Sequence, residues 1–113
     1  MRILYCHCAY ARVVPPDVKQ HVLRALTEAD IDFDCVPDLC ELSARLDPAL
    51  KQIADGGPVT IAACYPRAVR WLFHAGGAAL PSEGVRVLNM RTEPGETIAR
   101  ELLNGANRIA EAV

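Results

Sequence analysis

No apolar run in the 113-residue chain approaches the roughly 20 residues that a membrane-spanning helix requires, which argues against a helical membrane anchor. A basic surplus is missing too. The net charge is −2 and aromatics make up only 5% of residues, so there is neither a cationic stripe to neutralise phosphates nor a set of rings to stack on bases. Nucleic acid is set aside as a partner on that ground. The first residues, Met-Arg-Ile-Leu-Tyr, pass at once into polar and Cys residues, without the apolar core and small-residue cleavage site of a secretory signal. The chain therefore reads as cytoplasmic, with no membrane partner. Internal repeats, low-complexity tracts, interdomain linkers and the Cys-x2-Cys pairs of zinc knuckles are likewise missing.

What remains is ordinary for one soluble globular domain over residues 1–113: 51% hydrophobic and 23% charged residues. A chain of this size removes roughly 65% of its unfolded surface from water, enough to fold without disulfides. Five cysteines stand out against that background, and an odd number cannot pair completely. In a reducing compartment such a set binds metal or reacts more readily than it forms structural disulfides.

Hydrophobic periodicity reads as βαβαβαβα. Ile3 to Tyr5 is a short first strand, and Pro15 and Pro16 open a helix with Val18, Val22, Ala25 or Leu26, and Ala29 on one face. Ile31 to Val36 reads as the second strand, with Cys35 a buried small hydrophobe inside it. Residues 41–46 read as a long turn. Asp47 and Pro48 then supply an N-cap and first helical position for a helix over 48–55, which Gly56 and Gly57 end. Val59 to Ala63 is apolar throughout, as in a strand buried on both faces of a parallel sheet. Pro66 opens a third helix that ends at Gly76 and Gly77, with Val69, Trp71, Leu72 and Phe73 as core. Val85 to Leu88 is the fourth strand, and the last helix carries Ile98, Leu102, Ala106 and Ile109 on one face. Short strands alternating with helices require right-handed crossovers. The expected fold is a four-stranded parallel α/β sheet of flavodoxin-like topology, with helices on both faces.

In such a sheet the carboxyl ends of the strands form the edge where ligands bind. Cys6 and Cys8 follow the first strand, Cys40 the second and Cys64 the third, so residues far apart in sequence converge on one thiolate-rich pocket. Cys6 and Cys8, two apart, share a face if the strand geometry continues, and His7 between them points away. Helix amino ends and the loop residues Arg12, Arg67 and Arg91 lie on the same side, and their positive charge favours anionic sulfur. Tyr10 is placed to cover the pocket.

Three chemistries suit it. Four Cys ligands are the usual number for a [4Fe–4S] cluster. Four thiolates also satisfy zinc, in an interaction module, although a domain with a full core has little need of a structural ion. The third is an enzyme. Cys6-x5-Arg12 directly after a strand resembles the phosphate-binding loop of low-molecular-weight tyrosine phosphatases and related arsenate reductases, in which a Cys thiolate attacks while loop N–H groups and an Arg bind the oxyanion. Here the loop holds no Gly, and Arg12 is followed by Val13 where that family has Ser or Thr.

A further resemblance covers residues 3 to 73. Cys6-His-Cys8, Leu39-Cys40 and Ala62-Ala-Cys64-Tyr-Pro-Arg67 are similar, in order and spacing, to the amino-terminal domain of the flavin-binding subunit of heterodisulfide reductase, with its Cys-His-Cys, Met-Cys and Ala-Ala-Cys-Ser-Pro-Arg. Leu39 stands for the family's Met and Tyr65 for its Ser. A fainter likeness is to the small delta subunit of methyl-viologen-reducing hydrogenase. The resemblance implies an iron–sulfur domain with Cys6, Cys8, Cys40 and Cys64 as cluster ligands; Arg67, at the start of the third helix on the same side, is the expected cation beside that anionic centre. Because the flavin and ferredoxin-like domains of that family lie outside these residues, it also implies a separate redox partner, a flavoprotein or ferredoxin-like protein. With no evident acid–base pair, the chain reads as an electron carrier or one component of an oxidoreductase complex, and self-association stays open.

Overall fold

The computed structural model describes residues 2–7, 14–29 and 31–112, with side chains up to residue 104. Its elements run β1 (Arg2–Cys6), α1 (Pro16–Glu28), β2 (Asp34–Val36), α2 (Leu39–Ala44), α3 (Pro48–Asp55), β3 (Val59–Ala63), α4 (Pro66–Ala75), β4 (Val85–Asn89) and α5 (Gly95–Ala112). The four strands form one all-parallel sheet in the order β2-β1-β3-β4. This is the expected flavodoxin-like α/β arrangement.

Burial along the strands follows from that order. All five residues of β3 are buried, as are Ile3 to Cys6 of β1, because both strands have neighbours on each side and helices on each face. Right-handed crossovers fix which helix goes where: the chain moves one way from β1 to β2 and the other way from β2 to β3 and β4. Accordingly α1 packs on α5, while α2 and α3 pack with α4 on the other face. Val18, Val22 and Leu26 of α1 and Ile98 and Leu102 of α5 are buried, the residues their 3.6-residue period selects. Ala106 and Ile109 lie beyond the described side chains.

Local chemistry sets the helix boundaries. Asp47 accepts the Ala49 N–H at 2.9 Å and Pro48 occupies the first turn of α3. Gly57 and Gly77, with φ of 92° and 80°, let the chain leave α3 and α4 through the left-handed region.

Three expectations are corrected. Residues 41–46 do not form a long turn: α2 begins at Leu39 because the Asp38 carboxylate accepts the Cys40 N–H at 2.8 Å, while Leu39 and Leu42 are buried beneath it. The second strand is shorter than 31–36, and Cys35 is exposed within it. As an edge strand, β2 pairs only with β1, and its first two residues face solvent. Trp71 is 64% exposed rather than core. It stands two positions from both Val69 and Phe73, the inward residues of α4, and two positions on a helix lie on nearly opposite faces. Among the described residues no helix is long and apolar enough to cross a membrane.

Candidate functional site

At the carboxyl edge of the sheet, the ends of β1 and β3 and the start of α2 meet around a cavity of about 200 Å³. Three thiols line it, each from a different part of the chain. Cys6 is the last residue of β1 and is 4% exposed, and its Sγ accepts the Leu39 N–H at 3.4 Å. Cys64 follows β3 and is half-buried. Cys40 occupies the second position of α2 and is exposed. No disulfide joins the described cysteines.

The rest of the lining divides by polarity. Ala63, Ala68 and Leu72 form an apolar wall, whereas Asp38, Tyr65 and Arg91 bring polar groups to the cavity. Asp38 is 1% exposed, and by capping α2 its carboxylate also fixes where the chain turns Cys40 into the site. The Arg91 guanidinium sits over the Tyr65 ring, 4.6 Å from its centroid, so that a cation and an aromatic together border the thiols.

Strand alternation accounts for His7. Tyr5 is fully buried towards α1, its hydroxyl 3.5 Å from the Lys19 carbonyl and 3.0 Å from His7 Nδ1. Tyr5 and His7 thus share one side of β1, and Cys6 lies on the other, against α2. His7 turns away from the thiols.

Of the residues singled out in the sequence, Cys6, Cys40 and Cys64 line one cavity. Cys8, Tyr10 and Arg12 lie outside the described residues, and with them the Cys6-x5-Arg12 loop. Arg67 is exposed and lines a neighbouring depression; Arg91 is the cation at the thiol cavity. Cys35, on the edge strand, is not among the lining residues, and partial burial pushes its thiol pKa above the ordinary value. Asp38 is a site residue that the cysteine pattern does not point to; its signal in the sequence is Glu41 three residues later, a helix-start signature.

Among the described residues, no group of three or more His, Cys, Asp or Glu side chains is close enough to hold a single metal ion. The donors on the cavity are three thiols and the Asp38 carboxylate, beside an apolar wall and the Arg91 cation; a cluster held by thiolates would draw on Cys6, Cys40 and Cys64. No family model matches the chain, and no curated protein or solved structure matches it significantly.

Proposed function

We propose that the chain is a small electron-transfer protein that holds one [4Fe–4S] cluster on the thiolates of Cys6, Cys8, Cys40 and Cys64, in the reducing cytoplasm. The observation that carries this reading is the meeting of Cys6 at the end of β1, Cys40 in α2 and Cys64 after β3 on one cavity. The bound cluster would supply a one-electron centre close to the surface. The protein's own groups have the complementary tasks. The Leu39 N–H stabilises negative charge on the Cys6 sulfur. Ala63, Ala68 and Leu72 limit water, and Arg91 offsets anionic charge from one side. The likeness to the amino-terminal domain of the flavin-binding subunit of heterodisulfide reductase supports the same ligands and a separate flavoprotein or ferredoxin-like partner.

Composition tests the proposal. Protein purified without oxygen from iron-replete cells should be brown and contain about four iron and four acid-labile sulfide per chain. One zinc per chain with no sulfide would overturn it in favour of a zinc module.

A further inference from the structure

Beside the thiol cavity, Tyr65, Pro66, Arg67, Ala68 and Trp71 line an open depression of about 720 Å³ on the outer face of α4. Only three large hydrophobic side chains are exposed among the described residues: Leu46, Tyr65 at 42% and Trp71 at 64%. Two of these three flank this one depression. Tyr65 and Ala68 also line the thiol cavity, so the depression and the cavity share a wall. A molecule seated on this face of α4 would be separated from the thiol cavity by Tyr65 and Ala68.

The charge here has one sign. The helix α4 carries Arg67, Arg70 and His74 and no carboxylate, in a chain whose net charge is −2. Arg91 extends the cationic surface over Tyr65. Among the described residues neither Arg67 nor Arg91 has a carboxylate partner, whereas Arg2, Arg45 and Arg86 each do. An exposed Trp and Tyr ringed by Arg is the composition of an interface centre. A second copy of the chain is a poor occupant, because two-fold symmetry would bring these cations against their own counterparts.

We infer that this face of α4 is the docking surface for the redox partner, and that the partner presents an acidic rim around its own centre. The inference rests on the electron-carrier reading and names the charge of the partner. Transfer across the interface is a one-electron step: the donor's iron is oxidised by one electron and the chain's cluster is reduced by one, with no bond made or broken.

The test uses the cluster-loaded protein and reduced plant-type [2Fe–2S] ferredoxin, an acidic donor, mixed by stopped flow at low and high salt. The rate should fall steeply as salt rises. At low salt, Arg67→Glu and Trp71→Ala should each slow transfer about tenfold with iron and sulfide content unchanged. Arg24→Glu, which makes the same charge change on the far face of the sheet, should leave the rate close to that of the unaltered protein. Equal rates for all variants, a salt-independent rate, faster reaction with a basic cytochrome, or a dimer that Trp71→Ala dissociates would each overturn the docking inference while the cluster remains. Protein without iron and sulfide would instead remove the electron-carrier reading itself, and this inference with it.

Discussion

Arg67 and Arg91 stand differently towards the thiol cavity. Both follow strands at the same edge, but α4 turns Val69 and Phe73 inward and leaves Arg67 exposed on the neighbouring depression, while Arg91 lines the cavity itself. A [4Fe–4S] centre on four thiolates gains negative charge on reduction, so a nearby cation favours the reduced form. Arg91→Ala should therefore lower the midpoint potential by on the order of 20–40 mV, with solvent screening keeping the effect modest. Arg67→Ala should change it less, and matched voltammetry on the two variants compares them. Cys35 gives a second expectation at this scale. Its thiol is pushed up by partial burial, so the neutral form persists to higher pH than in an ordinary Cys. Because the raised pKa belongs to an acid held neutral, any stability it contributes is present at low pH and lost as pH rises through the folded value. Alkylation of Cys35 followed by peptide mapping should reach half its maximal rate above the pH of an unfolded control.

Among the elements, α2 places the candidate ligand Cys40 and is the one whose sequence pattern is hardest to read. Six residues are too few to display a helical period, and a Cys within them draws the eye to loop chemistry. Its start depends on Asp38, so Asp38→Ala should cost about 1 kcal/mol or more in chemical denaturation, the usual worth of an N-cap. The end of α2 carries strain. The N–H of Leu46 bonds to Ser43 and that of Asp47 to Leu42, a paired closing turn, and Leu46 sits in the left-handed region with φ of 53°. Leu46 is 64% exposed, so Leu46→Gly loses little packing and should stabilise the fold by roughly 0.5–1 kcal/mol in the same denaturation experiment. By contrast α3 and β3 are legible to the residue. Asp47-Pro48 and Gly56-Gly57 bracket one with start and stop chemistry, and unbroken apolar character marks the other. Alternation alone overextends the second strand, because it cannot tell where pairing stops. Trp71 is misplaced when the size of its side chain outweighs its position on the helix.

For the whole molecule, the order β2-β1-β3-β4 is what brings cysteines distant in sequence to one cavity. It sets β1 beside both β2 and β3, so the chain leaving each of these three strands emerges at one edge. That convergence is readable from alternating strands and helices alone. The arrangement of charge is not, since the angular position of a first-turn residue depends on how α4 packs on the sheet. If these thiols share one cluster, Cys64, which follows a strand buried along its whole length, is the ligand whose loss should tell most. The most direct measurement is the iron and acid-labile sulfide content of anaerobically purified Cys64→Ser, set against Cys35→Ser. Cys64→Ser should lose or lower both, and Cys35→Ser should keep about four of each. A full complement in Cys64→Ser would mean that these thiols do not share a cluster.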